Sequence, residues 1–564
     1  MARGGGVLSV MYRKASAYRN RAALCCYRDG GWQDFTFREI QRRAKQLSGY
    51  LIESGIARGD RVAILAESRP EWGIVMFATV RAGAIIVPLD TKLTALELSL
   101  ILSDCSPRLL FTSQQFAPIA TLIQSVLPGL TVAIIDDSPG SSNFPSMSAW
   151  KASHEEISGR DRTPEETALI VYTSGTTGKP KGVMISFQTM LFQIARLEEV
   201  LGAGCRDVFL SILPMNHLFE LTFGFLGVLH AGGQVCYSPS LYPLDILSAM
   251  QQKRVTHMIA VPMFLKMLKN AIEREVAKAK PEEKQLFRSL LRIARWIPSK
   301  RVRRQLFPTI HKRMGGRLRG FVSGGAPLDL EVATFFDRLG IAVYQGYGLT
   351  ETGPIVAANT PAHYKLGSVG RPLPGVEVKL LAENGDAEGE IITRGPHLMQ
   401  GYYNSGAMTA AVIDADGWLH TGDLGRFDRD GFLYITGRLK NLIVLPAGKK
   451  VHPEEVEEAL AKAASIKEVL IVGVIAGTGL KAGTEEVCAV VVPSDQLLAE
   501  TANNSDQMEA AIKEEFDQLL KGVAPFKRPS RLLIREEPLP RTPTSKIQRQ
   551  LVSRWINEQG VRQS

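Results

Sequence analysis

The segment Tyr172-Thr-Ser-Gly-Thr-Thr-Gly-Lys-Pro-Lys-Gly182 combines residue types that a polyphosphate requires. Gly175, Gly178 and Gly182 let the backbone turn and bring N–H groups close to phosphate oxygens. Thr173, Ser174, Thr176 and Thr177 add hydroxyl donors, and Lys179 and Lys181 add positive charge. It is not a Walker loop, which needs four residues between its glycines and a Ser or Thr directly after the lysine; here Pro180 follows Lys179. The alternative is a Ser/Thr/Gly surface turn. The apolar run Ala168–Val171 predicts a buried strand before the loop. Apolar residues at Phe187, Met190, Leu191, Ile194 and Leu197 predict a helix after it, so the loop is expected between strand and helix.

A chain of 564 residues exceeds what one core supports, so two or more domains are expected. Its 45% hydrophobic and 22% charged content belongs to a folded, soluble protein. Six cysteines (25, 26, 105, 205, 236 and 488) form no CxxC pair, and nine histidines show no HExxH spacing. Neither a disulfide framework nor a protein-ligated zinc is signalled, and a reducing cytoplasm fits best. The N-terminus lacks the apolar centre of a secretory signal. The uncharged stretch 221–244 is broken by His230, Gly232-Gly233 and Pro239, so it reads as core or pocket wall and no transmembrane segment is expected.

The net charge is +10, and its distribution matters more than its sum. From Glu282 to Arg319 twelve Lys or Arg face two Glu, interleaved with Phe287, Leu290, Leu291, Ile293, Trp296, Leu306 and Phe307. This amphipathic pattern suits either a solvated helix face or peripheral contact with the anionic inner face of a membrane. No nucleic-acid motif accompanies the charge, so nucleic acid is not expected as a partner.

Runs at Val62–Leu65, Ile85–Leu89, Leu109–Phe111, Val132–Ile135 and Ala168–Tyr172 alternate with helical patterns, which predicts helix-covered, mostly parallel sheets, an α/β class. After residue 366 short strands with Gly and Asp turns predict a small β-barrel-like unit, with a hairpin at Glu383–Asp386. Beyond Gly437 a helix at 453–464, strands at 469–474 and 487–492, a helix at 508–520 and a strand at 531–534 predict a small α+β domain.

Further islands are SGGAP at 323–327, YQGYGLTETG at 344–353, Thr421-Gly422-Asp423, GRLKNLIVLPAGKKVHPEEVE at 437–457 and PLPRTPTSKIQR at 538–549. With the 172–182 loop, in this order, the set resembles the adenylate-forming superfamily of acyl-CoA synthetases, adenylation domains and luciferases, over essentially the whole chain. The resemblance implies an N-terminal AMP-binding domain at 1–437 and a mobile C-terminal domain at 438–564. It also implies a two-step reaction. A carboxylate attacks the α-phosphate of ATP to give an acyl-adenylate and pyrophosphate, and a thiol then displaces AMP. The first step needs positioning and charge neutralisation more than a general base.

Carried over by position, Thr173, Ser174, Gly175, Thr176, Thr177, Gly178, Lys179 and Lys181 would hold the β- and γ-phosphates. Gly324, Gly325 and Ala326 would contact adenine, with Tyr347 stacked on it and Gly348 beside it. Thr350 would reach the α-phosphate and Glu351 would ligate Mg²⁺. Asp423 would accept the ribose hydroxyls, Arg438 would sit beside ribose and phosphate, and Lys546 would bridge carboxylate and α-phosphate. The family motif usually reads Gly-Lys where this chain has Ser545-Lys546. Lys440 falls at the family's hinge, about which the C-terminal domain would rotate to bring the segment with Gly448 and Lys449 toward the thiol.

In the segment 214–225, PMNHLFELTFGF, no acidic residue stands where amino-acid-activating members place one to pair an α-ammonium. His217, Phe219 and Gly346 are expected at an acyl pocket, with His217 equally readable as a structural histidine. The variant after the hinge arginine looks like that of long-chain acyl-CoA synthetases. A medium- to long-chain fatty acid is the expected substrate and CoA the expected acceptor. Acyl carrier protein is the alternative acceptor, and a silent ligand-binding relative is the non-enzymatic alternative.

Overall fold

A computed structural model describes residues 17–136, 144–147, 150, 159–173, 180–382, 387–445, 449–475, 485–501, 504–541 and 547–562. The chain divides into two compact units. One comprises 1–378, 393–419 and 431–433; the other comprises 379–392, 420–430 and 434–564.

The first unit holds two large sheets. The nine-stranded one runs in the order Arg371–Pro372, Ala357–Ala358, Ala342–Tyr347, Gly320–Ser323, His257–Ala260, Val208–Ser211, Gln234–Tyr237, Ala22–Arg28 and Gly31–Thr36. From Ala342–Tyr347 to Ala22–Arg28 every pairing is parallel. The seven-stranded sheet runs Gly401–Tyr402, Lys181–Ser186, Thr167–Thr173, Ile85–Pro88, Arg61–Leu65, Leu109–Thr112 and Thr131–Ile134. Continuous apolar runs such as Val62–Leu65, wholly buried, are what a parallel sheet covered on both faces requires. The predicted α/β class is the observed one.

One local expectation is corrected. A second strand, Lys181–Ser186, lies antiparallel to Thr167–Thr173 before the helix Phe187–Leu201 begins, so the 172–182 segment closes a hairpin instead of joining strand to helix. Val183 and Ile185 are β-branched and buried, but so short a run abutting a helical pattern carries no periodicity of its own. Ser186 ends the strand and caps the helix, its hydroxyl accepting from the N–H of Thr189 at 3.1 Å.

The absence of disulfides expected from spacing is also corrected. Cys25 and Cys236, 211 positions apart, are partners on neighbouring parallel strands with Cα atoms 4.6 Å apart, and are joined in a disulfide. Only strand order brings them together, so spacing held no trace of the pair. The uncharged 221–244 stretch forms the π-helical turn Glu220–Leu226, the helix Gly227–His230 and the strand Gln234–Tyr237. Among the described residues no helix is long and apolar enough to cross a membrane.

A four-stranded sheet, Glu377–Leu381, Glu388–Arg394, Leu419–Phe427 and Leu433–Arg438, has most of its residues in the second unit and lies where the sequence predicted short strands. The second unit also carries a three-stranded sheet, Ile466–Ile475, Glu485–Pro493 and Arg531–Ile534, with the helices Pro453–Leu460 and Ser505–Leu519. Every element predicted beyond residue 437 is present. The hairpin signal at 383–386 lies outside the described residues.

Candidate functional site

The strands Gly320–Ser323 and Ala342–Tyr347 are parallel neighbours, with Ser323 opposite Gln345. The islands 323–327 and 344–353 therefore leave the sheet side by side at its carboxyl edge, where open α/β sheets receive ligands. Gly324, Gly346 and Phe219 meet there. A Cβ on Gly324 would lie 3.3 Å from the Gly346 carbonyl oxygen and 3.4 Å from the Phe219 ring. Gly325 and Ala326 follow, both exposed, and Tyr347 closes the neighbouring strand. The expected adenine segment and the expected acyl-pocket residues are thus contiguous. His217 is half-buried at the start of the same turn, its carbonyl accepting from the N–H of Leu221 at 2.9 Å.

Thr350 and Glu351 lie on the 3₁₀ turn Thr350–Thr352, two residues beyond Gly348. The turn is held from behind by the fully buried Gln193, whose amide donates to the carbonyls of Thr352 at 3.0 Å and Ile355 at 2.8 Å. Because Gln193 sits on the helix that follows the hairpin, hairpin and turn share one rigid support.

Thr173 and Lys181 are the paired residues at the mouth of that hairpin. The Lys181 ammonium lies 5.3 Å from the centre of the Tyr402 ring, within cation–π range. The Tyr402 hydroxyl donates to Glu351 Oε1 at 2.8 Å. Burial, then the charge of Glu351 and their hydrogen bond, push the Tyr402 phenol well above its ordinary pKa, so it stays a donor. Tyr402 was missed by sequence reasoning, since a short Gly-Tyr-Tyr run carries no chemical signature.

The second unit holds Asp423, buried, and Arg438, whose Nε lies 2.6 Å from Asp423 Oδ1. The backbone N–H of Asp423 donates to Thr421 Oγ1 at 3.1 Å, and that hydroxyl donates to the Ile391 carbonyl at 2.7 Å. Lys440 is exposed on the 3₁₀ turn Leu439–Asn441, and Lys449 places its ammonium 4.7 Å from the centre of the Phe526 ring. Ser174, Gly175, Thr176, Thr177, Gly178, Lys179, Gly448 and Lys546 lie outside the described residues.

Glu220 was another omission. It is fully buried on the π-helical turn, and a Cβ on Gly224 would come within 2.5 Å of its carboxyl carbon, so a larger residue there would displace the carboxyl. Burial pushes its carboxyl up to about 8.

Part of the apolar side of the basic stretch packs against the core. Phe287, Leu290, Leu291 and Leu306 pack against a buried cluster that includes Phe307. Arg303 pairs with Asp337, and Arg304 donates to the carbonyls of Leu318 and Gly316. Ile293 and Trp296 remain exposed, with the Arg295 guanidinium 4.4 Å from the centre of the Trp296 ring.

Among the described residues, no group of three or more His, Cys, Asp or Glu could cage a metal. Magnesium bound through nucleotide phosphates needs only one or two carboxylates, and Glu351, with one oxygen held by Tyr402, fits that demand.

Residues 11–403 match a family model described as AMP-binding enzyme. An indoleacetate–CoA ligase of Aromatoleum aromaticum is 30% identical over 536 residues, covering 93% of this chain and 94% of its own. A long-chain-fatty-acid–CoA ligase of Mus musculus is 30% identical over 494 residues, covering 80% of this chain and 67% of its own. The crystal structure of ATP-bound MatB from Rhodopseudomonas palustris superposes with a TM-score of 0.77 at 26% identity, covering 97% of this chain and 98% of that one.

Proposed function

This chain belongs to the family of AMP-binding enzymes, and on that premise we propose that it is an AMP-forming acid–CoA ligase whose acid is a medium- to long-chain fatty acid. In the first half-reaction a carboxylate oxygen attacks the α-phosphorus of ATP, and pyrophosphate leaves with the electrons of the broken P–O bond. In the second, the CoA sulfur attacks the acyl carbon, AMP leaves and the thiol proton passes to solvent.

The observation that carries the proposal is the meeting of Lys181 and Glu351, from two distant motifs, on the one side chain of Tyr402. A cation for the departing phosphates and a carboxylate for their Mg²⁺ are what a reaction with a self-supplied nucleophile needs. Magnesium would neutralise phosphate charge there. In this reading Lys181 and Thr173 serve the β- and γ-phosphates together with 174–179. Gly324, Gly325, Ala326, Tyr347 and Gly348 serve adenine, and Thr350 serves the α-phosphate. Asp423 and Arg438 serve the ribose, and Lys546 serves the adenylation transition state. The C-terminal domain is taken as 438–564 with its hinge at Lys440, and Lys449 on the CoA side.

The choice of acid rests on two supports. Phe219 against Gly324 brings an apolar ring to the site. One similar protein is a long-chain-fatty-acid–CoA ligase. The indoleacetate–CoA ligase at equal identity supplies the rival acid class. A cytoplasmic setting belongs to the same proposal, and the Cys25–Cys236 pair is the feature that argues against it. Contact with an anionic membrane face is retained only for exposed Arg288, Arg292, Arg295 and Trp296.

The test is acid-dependent ATP–pyrophosphate exchange from acetate to stearate, with indoleacetate included, followed by CoA or acyl carrier protein. Exchange peaking with long acids, with acyl-CoA formed on adding CoA, is expected. A peak at indoleacetate would replace the acid; acylated carrier protein without acyl-CoA would replace the acceptor.

A further inference from the structure

The segment around Tyr402 touches both phosphate-handling motifs through its main chain as well as its side chain. The N–H of Met399 donates to the Glu351 carbonyl at 2.8 Å, and that of Tyr403 to the Gly182 carbonyl at 2.7 Å. Between them, Gly401 and Tyr402 pair with Met184 and Val183 as the edge strand of the seven-stranded sheet. The Tyr402 N–H is taken by Thr409 Oγ1 at 2.9 Å, and the Thr409 hydroxyl donates in turn to the Ser405 carbonyl at 3.0 Å. The tyrosine is therefore fixed before any ligand arrives, and it is 6% exposed.

From this geometry we infer that Tyr402 is a positioning residue for adenylation, its hydroxyl fixing the Glu351 carboxylate and its ring seating the Lys181 ammonium. The inference deepens the proposed function and rests on it. Glu351 is half-exposed on a short turn and would otherwise sample several rotamers. A neutral donor on Oε1 selects one of them, aims the second oxygen and leaves the carboxylate its charge. The ring face offers Lys181 a seat that holds the cation without neutralising it, so its charge stays available to a phosphate. An acid in the same place would cancel the lysine. An aliphatic residue would release both groups. Tyrosine alone among the common side chains supplies an apolar face for the cation and a hydroxyl for the carboxylate at the far end of the same ring.

Two variants separate the two functions of the ring. Tyr402→Phe keeps the face and removes the donor; Tyr402→Leu removes both. The readouts are Mn²⁺ affinity of the enzyme with ATP and no acid, followed by electron paramagnetic resonance, and single-turnover acyl-adenylate formation. For Tyr402→Phe we expect an unchanged melting temperature and metal-free ATP affinity, Mn²⁺ binding weakened about tenfold or more, and a lower rate of adenylation at unchanged KM for the acid. Tyr402→Leu adds a loss of pyrophosphate affinity. A merely structural tyrosine would lower the melting temperature and leave the metal affinity of the folded fraction alone. If Tyr402→Phe binds Mn²⁺ with ATP as the wild type does, the inference is overturned, whatever becomes of Tyr402→Leu. Should the wild type show no acid-dependent exchange while the metal-affinity difference persists, the proposed reaction fails and the positioning of Glu351 stands.

Discussion

The ring of Phe219 lies against Gly324 so closely that a methyl group on that glycine would sit 3.4 Å from the ring edge. The same methyl would come within 3.3 Å of the Gly346 carbonyl oxygen, tighter than most such contacts, so the segment must give by a few tenths of an ångström with the Phe219 ring filling the space beside it. Gly324→Ala is expected to lower kcat/KM of the exchange reaction for ATP and acid alike by about tenfold, with little change in melting temperature. Phe219→Ala in the same chain should restore part of the loss. Additive losses would mean that the two residues do not share a site.

Glu220 gives the fold a pH signature. Its carboxyl stands at about 8 when folded, above the ordinary carboxylate value, because burial penalises the charge. Below the ordinary value both states are protonated and its contribution is complete. As pH rises toward 8 the unfolded chain releases a proton that the folded chain keeps, and stability falls by about 1.4 kcal/mol per unit. Glu220→Gln removes that slope. Denaturant titrations at pH 5 to 9 should show the variant gaining on the wild type up to pH 8 and then running parallel. A constant gap would contradict the buried, neutral carboxyl.

Glu71 titrates in the opposite sense. It is wholly buried, and burial alone would raise its pKa. Arg28 at 2.6 Å and Arg69 at 2.8 Å outweigh that and hold it at about 2. Its contribution is present above the ordinary carboxylate range and is lost as pH falls toward 2. Glu71→Ala takes the shared carboxylate from the partly buried Arg28 and Arg69, of which Arg69 keeps Glu67 and Asp136, and should cost about 3 kcal/mol by chemical denaturation. A cost below about 1 kcal/mol would show the network to be solvated in solution.

The basic stretch separates into two kinds of arginine. Arg303→Glu places a carboxylate against Asp337 and should destabilise the fold by about 3 kcal/mol. Arg288, Arg292 and Arg295 are exposed, and their triple change to Glu should leave the melting temperature in place. Flotation with vesicles rich in phosphatidylserine then tests the surface alone. Reduced binding of the triple variant is expected if this face meets lipid, and unchanged binding removes the membrane from the proposal.

Lys440 lies on a short exposed turn directly after Arg438. Proline there restricts the backbone torsion of the proposed hinge. Lys440→Pro should leave acid-dependent pyrophosphate exchange near the wild-type rate and lower thioester formation from preformed acyl-adenylate by a hundredfold or so. Equal loss in both half-reactions would move the hinge elsewhere.

The amino-acid sequence by itself determined the residue types proposed to handle phosphate, the strand Thr167–Thr173 that leads into their loop and the order of the motifs. Apolar runs such as Val62–Leu65 could be read directly because burial on both faces of a sheet demands unbroken hydrophobicity. Lys181 was legible as a candidate because lysine in a loop rich in glycine and hydroxyls is a local pattern, whereas Glu351 and Asp423 were legible only through the motifs that carry the resemblance.

Tertiary structure alone decided which of them meet. Tyr402 joins Lys181 to Glu351, Gln193 clamps the turn that carries Glu351, and Cys25 finds Cys236. The strand Lys181–Ser186 was hidden beside a helix, and Phe287, Leu290, Leu291 and Leu306 of the basic stretch pack against their own core. The physical reason is the same in each case. Strand order and side-chain packing set these contacts, and neither leaves a periodic trace in the residues that the contacts join.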